Sequence, residues 1–270
     1  MSALVNPLKH ALAQGQLQIG LFSQLGNPVT VEMIAGSGFD WIGIDTEHGP
    51  TDLVELYQQL QACAAASGRT SPAVRLPSSD RILIKQYLDI GVQNIIIPQV
   101  DTAEQARAIV WETRYAPRGG RGYCGAPRAS NFGRIKDYPF KSADEICVIV
   151  QPESLKAIEN IESVAAVDGV DCFFFGPGDL SADMGYLHQA THPEVVKILE
   201  AAGKRVRAAG KSAGIICPNE ELCRHYIDVG FNFVAVGSDQ GILVRGSDDL
   251  AAKFMPLTRE AKARSILQPA

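Results

Sequence analysis

Apolar residues recur along the chain in two alternating patterns. Short continuous runs rich in β-branched and aromatic residues alternate with stretches in which apolar residues return every three or four positions. The first pattern predicts strands buried on both faces, the second helices with one apolar face. A short leading helix over residues 7–15 precedes the first strand, 17–22. Further strands are expected at 39–45, 72–76, 94–98, 146–151, 170–175, 212–217 and 233–236. Helices are expected between them at 29–36, 53–66, 80–90, 102–114, 154–167, 193–209 and 220–229, with a terminal helix from 248 onward. Gly91 and Gly230 close two of them, and Thr102 with Gln105 has the spacing of a capping box.

Eight near-continuous apolar strands separated by amphipathic helices predict a parallel sheet covered on its outer face. The simplest closure of eight such units is a (β/α)8 barrel, and an open doubly wound sheet is the alternative. No linker, repeat or low-complexity segment interrupts the order, so one domain over 1–270 is expected. In such barrels chemistry is done where the strands end. The stretch from Phe39 to Pro50 fits that place: an apolar run breaks into Asp45, Thr46, Glu47 and His48 before a Gly-Pro turn.

Composition narrows the class. The chain has 270 residues, 46% of them hydrophobic, enough for a large core, and a net charge of −5 gives no reason to expect nucleic acid or an anionic membrane. No apolar run approaches membrane-span length, and the opening four residues do not have the pattern of a secretory leader. The six cysteines form no C-x-x-C pair, and several fall inside apolar patterns. Buried thiols in a reducing cytoplasm are therefore expected.

The polar residues just after each strand form an acidic set. They are Asp45, Glu47 and His48; Arg75; Gln99 and Asp101; Gln151 and Glu153; Gly176 to Ser181; Pro218 and Asn219; and Gly237 to Asp239. Such a set suits a hard divalent cation with an arginine for a substrate anion. Each residue also has a structural reading. Glu153 suits the dipole of the following helix, and Asp179 suits a cap on residues 180–184. Together, however, two carboxylates at equal depth on consecutive strands repel, and Mg2+ or Mn2+ relieves that. His48 is the only histidine at a strand end and shares it with two carboxylates, as a general base would. Arg75 ends an apolar strand and needs an anionic partner, either substrate or a protein carboxylate.

Two further features discriminate. Residues 120–125 match G-x-G-x-x-G, but they follow a helix and open none, so the dinucleotide reading fails. They lie in a long basic loop between Arg114 and Arg134, which should start at the barrel's opposite face and suits an interface or a wrapping lid as well as substrate contact. No lysine terminates a strand, so the electron sink for a keto acid would be a metal rather than a Schiff base.

These residues resemble the HpcH/HpaI aldolases, class II pyruvate aldolases that act on 2-oxo acids. The resemblance spans nearly the whole chain, through residues 44–50, Val74-Arg75, 87–91, 100–106, 114–117, 150–153 and 176–181. The sugar-acid branch, such as 2-keto-3-deoxy-rhamnonate or -glucarate aldolase, looks most similar. The resemblance implies a barrel of the phosphoenolpyruvate/pyruvate type whose last helix swaps between subunits, in a homohexamer built as a trimer of dimers. It implies that Glu153 and Asp179 hold Mg2+, Mn2+ or Co2+ and that His48 acts as base. Asp89 from a neighbouring subunit would pair with His48, and Asp45 would support the site. Arg75 would hold the pyruvate end, with Gln151 nearby and Phe22 facing the aldehyde. Thr46, Gly49, Phe22 and Pro152 depart from the family's commoner residues.

The expected reaction is cleavage of a 4-hydroxy-2-oxo acid into pyruvate and an aldehyde through a metal-stabilised enolate. The amides of Gly178 to Ser181, including those of Asp179 and Leu180, are expected to take the carboxylate at a helix N-terminus. Two alternatives stay open: a lyase of the same fold that uses another enolate, in citrate-like synthesis or oxaloacetate decarboxylation, and a non-catalytic 2-oxo-acid sensor.

Overall fold

The computed structural model describes residues 4–66 and 69–267. Eight parallel strands close into a barrel in sequence order: β1 (Gln18–Ser23), β2 (Trp41–Asp45), β3 (Ser71–Arg75), β4 (Asn94–Ile97), β5 (Cys147–Val150), β6 (Cys172–Phe175), β7 (Ser212–Ile216) and β8 (Phe233–Ser238). The open-sheet alternative is thereby excluded, because β1 pairs with both β2 and β8.

The helices begin where local chemistry starts them. Asn27 caps α2 (Pro28–Ala35) ahead of a first-turn proline, and Asp80 caps α4 (Arg81–Asp89) by accepting the amides of Ile82 and Leu83 at 2.8 and 3.1 Å. The predicted capping box opens α5 (Ala103–Thr113). Elsewhere α1 (Pro7–Ala13) sends Leu8 and Leu12 into the cluster of residues inside the barrel, and α3 (Leu53–Ala66) packs beside α2.

Three elements differ from the sequence reading. A helix α6 (Tyr138–Glu145) follows the long basic loop, where only loop was expected. The expected helix over 154–167 breaks at Asn160, whose backbone leaves the helical region at φ −92° and ψ 8° and whose side-chain amide donates to the Asp101 carbonyl at 2.9 Å, giving α7 (Leu155–Glu159) and α8 (Ile161–Ala165). The later helices are α9 (Pro177–Asp183), α10 (Pro193–Ala208), α11 (Glu220–Asp228) and α12 (Asp239–Leu267). The last starts nine residues before the expected boundary. Ser238, read as part of a rim turn, accepts the Gly241 amide at 3.1 Å and carries the strand straight into the helix.

The barrel interior is filled by aromatic rings set against glycines. Trp41 stacks on Phe233 with ring centroids 4.0 Å apart, and Phe22 and Phe174 close the group. The rings fit because Gly20 lies against Trp41, while a Cβ at Gly214 would come within 2.8 Å of Phe174. The remaining buried aliphatics lie between strands and helices, so both faces of the sheet are covered. What this frame does for function is fix the depth at which each strand ends.

The basic loop lies against the end of α4. Arg121, its side chain fully buried, pairs with Asp89 at 2.7 Å and stacks on Tyr115, while Arg128 donates to the Ile90 carbonyl at 2.5 Å. All six cysteines are free thiols, and five are buried, with Cys124 exposed. Among the described residues no helix is long and apolar enough to cross a membrane.

Candidate active site

The pairing register of β2 and β3 sets Asp45 directly beside Arg75, both at the C-terminal ends of their strands. The contact is a two-pronged ion pair: Arg75 Nε donates to Asp45 Oδ1 at 3.1 Å and Nη2 to Oδ2 at 2.6 Å. Asp45 is wholly buried and gathers three more donors, the Gln24 amide at 3.0 Å and the backbone N–H groups of Glu47 and His48 at 3.1 and 3.2 Å. Burial alone would raise the Asp45 pKa. The hydrogen bonds and charge of Arg75, with Gln24 and the His48 amide, instead hold it below the ordinary carboxylate value. Asp45 is thus a fixed anion, and Arg75 a fixed cation whose Nη1 has no hydrogen-bond partner among the described residues.

Next to this pair the site is crowded with carboxylates. Glu153, only 7% exposed, has its pKa pushed up to about 7, first by burial and then by the charge of Asp179. Gln151 donates to Glu153 Oε1, and the backbone N–H of Gln99 donates to Oε2 at 3.2 Å. Gln99 holds a left-handed φ of 57°, a conformation that costs free energy in a residue with a side chain. Burial likewise raises the Glu47 pKa. Two buried acceptors here accept no hydrogen bond: Gln151 Oε1, and Glu47 Oε2, which faces Arg75 Nε only as an ion pair at 3.3 Å. A pocket rich in oxygen acceptors and short of donors is one that a hard cation completes. Among the described residues no group of three or more His, Cys, Asp or Glu side chains is set to hold an ion by itself. Glu153 and Asp179 therefore fit the mode in which one or two carboxylates bind and substrate oxygens and water fill the remaining positions.

The other expected residues divide. His48 lies on the loop after β2 with its side chain 63% exposed and Nε2 3.8 Å from Glu47 Oε2. Asp179 is exposed in the first turn of α9, whose N-cap is Gly176, so it does not cap residues 180–184 as its structural reading had it. Gly178 is exposed beside it. Ser181 is fully buried and spends its hydroxyl on the Gly178 carbonyl at 2.7 Å, and the Leu180 amide is taken by the Gly176 carbonyl at 3.2 Å. Of the amides expected to take a carboxylate, that of Leu180 is thus already engaged. Phe22 is 1% exposed and lies beneath Arg75, whose Cζ stands 5.3 Å from the ring centroid, so it forms a floor rather than an open wall for an aldehyde. Asp89 ends α4, at the end of the barrel away from His48, and within this chain its partner is Arg121.

Three residues of the site carry no assigned role in the sequence. Glu47 and Gln99 are expected at the rim without one, and Gln99 contributes through a backbone conformation that its residue type does not announce. Gln24 lies in a loop that carries no sequence signal at all.

A closed parallel barrel whose C-terminal rim joins a braced arginine to a crowded carboxylate pair, with no strand-terminal lysine, defines an enzyme for small anionic oxo acids. Comparison with known proteins names the kind. The family model described as HpcH/HpaI aldolase/citrate lyase matches residues 18–246. A hydroxypyruvate/pyruvate aldolase of Deinococcus radiodurans is 49% identical over 261 residues, covering 96% of this chain and 94% of that protein. A 4-hydroxy-2-oxovalerate aldolase of Rhodococcus jostii is 45% identical, covering 94% and 98%. The crystal structure of a family member from Burkholderia cenocepacia superposes with a TM-score of 0.89 at 34% identity, covering 93% of this chain and all of that one. The chain belongs to the HpcH/HpaI aldolase/citrate lyase family, and it is a lyase. The names of these relatives fall outside the sugar-acid branch that the motifs had brought to the fore.

Proposed function

We propose that the chain is a class II aldolase that reversibly cleaves a 4-hydroxy-2-oxo acid into pyruvate and an aldehyde. The observation that carries this reading is the union of Arg75, held rigid by Asp45, with the carboxylate pair Glu153 and Asp179. The names of the Deinococcus radiodurans and Rhodococcus jostii relatives, aldolases of hydroxypyruvate/pyruvate and of 4-hydroxy-2-oxovalerate, support it.

Arg75 binds the carboxylate end of the substrate through the part of its guanidinium that Asp45 leaves free. Glu153 and Asp179 would hold Mg2+, Mn2+ or Co2+, which supplies Lewis-acid stabilisation of negative charge on the 2-oxo oxygen. His48, exposed at the cleft edge beside Glu47, takes the 4-hydroxyl proton through a water. The C3–C4 bond then breaks, its electron pair passes to the pyruvate fragment, and the C4 oxygen leaves as the aldehyde carbonyl. C3 finally takes a proton from water to become the methyl group of pyruvate, and His48 returns to water the proton it removed. Because Asp45 and Arg75 are already in place and paired, the substrate carboxylate meets a preorganised cation.

The expected result is exchange of pyruvate methyl protons with D2O that requires Mg2+, Mn2+ or Co2+ and is abolished by Arg75→Ala. Exchange that persists in EDTA would overturn the metal's part. A coupled pyruvate-release assay over straight-chain 4-hydroxy-2-oxo acids and 2-oxo-3-deoxy sugar acids identifies the aldehyde.

The partner we assign is a second copy of the chain, in a hexamer built as a trimer of dimers. Ile242, Leu243, Leu250, Phe254, Met255 and Leu257 of α12 are each more than half exposed, an apolar load that a lone chain would leave in water. Light scattering that gives a monomer would exclude this. The free thiols support a place in the reducing cytoplasm.

A further inference from the structure

The carboxylate that braces Arg75 is itself braced from the far end of the sequence. Asp45 Oδ2 receives two side-chain donors, Arg75 Nη2 and Gln24 Nε2. Gln24 follows the last residue of β1, and its backbone is held in turn by Asp239, the first residue of α12. Its N–H donates to Asp239 Oδ1 at 2.8 Å, while the Ser23 hydroxyl and the Leu25 N–H donate to Oδ2 at 3.1 and 3.4 Å. Asp239 is 7% exposed, and no salt bridge to it is found among the described residues. Besides the N–H of Gln240 in its own helix, at 2.7 Å, its donors all come from the β1 loop, which is how one side chain fixes a backbone path.

That loop has no slack. A Cβ on Gly49 would run into the Asp45 carbonyl and stand 3.3 Å from the Gln24 carbonyl, and one on Gly26 would stand 2.9 Å from the Pro50 carbonyl. The β1 loop and the loop carrying His48 are therefore packed against each other. Moving Gln24 moves the support of both Asp45 and its neighbours.

We infer that Gln24 is a positioning residue for the anion site at Arg75, and that Asp239 at the root of α12 holds Gln24 in place. The chain of contacts is Asp239 to the Gln24 backbone, the Gln24 amide to Asp45, and Asp45 to Arg75. It ties the start of the helix that leaves the barrel to the group that grips the substrate. The inference rests on the reading that Arg75 binds the carboxylate of pyruvate.

The test uses full-length protein loaded with Mn2+ and measures D2O exchange of pyruvate together with inhibition by oxalate. Gln24→Leu keeps the size of the side chain and deletes the donor. We expect KM for pyruvate and Ki for oxalate both to rise about tenfold, the low end for a hydrogen bond to a charged group, with kcat changed less than threefold. A contact that holds the substrate alike before and during reaction alters KM alone. Asp239→Asn keeps the fold and one acceptor and should share this KM-only defect to a lesser degree. The double variant should be no worse than Gln24→Leu, since both act through one contact. Unchanged KM in Gln24→Leu, with exchange lost in Arg75→Ala, would overturn the role of Gln24. Wild-type KM in Asp239→Asn, or additive defects in the double variant, would overturn the role of Asp239. An Arg75→Ala enzyme with normal pyruvate KM would instead overturn the reading beneath both.

Discussion

Glu153 offers a stability measurement whose sign is unusual for a carboxylate. Its folded-state pKa is raised from 4.5 to about 7, first by burial and then by Asp179. The native state therefore prefers the protonated form, and the metal-free protein is most secure below pH 4.5 as far as this group is concerned. As pH rises from there, the unfolded chain gives up the proton first, and stability falls until the folded carboxyl has also ionised near pH 7. A raised pKa of this size removes about 3 kcal/mol by pH 8. Glu153→Gln keeps the shape of the side chain and cannot ionise. At pH 8, without metal, it should be more stable than the parent by up to about 3 kcal/mol, a rise in melting temperature of roughly 6–12 °C for a domain of this size. At pH 4.5 the two proteins should melt together. Manganese added at pH 8 should raise the melting temperature of the parent and leave that of Glu153→Gln nearly unmoved, because binding linkage acts only where the ligand set is intact. Differential scanning fluorimetry at fixed protein concentration reads all three results. A Glu153→Gln protein that melts below the parent at pH 8 would refute the argument that this carboxylate is strained by its surroundings.

Two other predictions follow from the packing around the site. Asp45→Ala leaves a 9% exposed Arg75 without its bidentate partner and should cost about 3 kcal/mol in urea unfolding, the low end for a broken buried pair because Glu47 stands 3.3 Å from Arg75 Nε; a cost under about 1 kcal/mol would show that water reaches the guanidinium. Gly20→Ala gains about 1 kcal/mol of backbone entropy but drives a methyl group into the Trp41 ring, and since overpacking costs about 1–3 kcal/mol the variant should be net destabilised by up to about 2 kcal/mol. A Gly20→Ala protein as stable as the parent would mean that the Trp41–Phe233 stack can shift.

Much of the site was legible because of where its residues lie in the pattern. Asp45, Arg75 and Glu153 each follow an apolar run of strand length, and parallel strands in a barrel end at one rim, so proximity followed from order. The cap at Thr102 was legible for a local reason: a side chain answering a backbone amide three residues ahead is a short-range event. The part played by Gln99, whose rim position was legible, and the whole of Gln24 were not. The first acts through a left-handed backbone turn that glutamine does not signal, and the second through a contact with Asp45, 21 residues away. Ser181 is expected at the rim and Phe22 facing the aldehyde, yet both side chains are buried, because the sequence does not say whether a side chain at a strand end faces the cleft or the interior.

The sequence by itself determined the eight strands, the barrel they close into and the acidic rim, because apolar period and strand order are local and cumulative. Only the tertiary structure decided which rim groups meet. The register that sets Asp45 against Arg75, the burial and crowding that lift Glu153, and the tie from Asp239 through Gln24 to Asp45 all depend on contacts between distant segments. Charge and hydrogen bonding act over a few ångströms of space, and distance along the chain does not encode them.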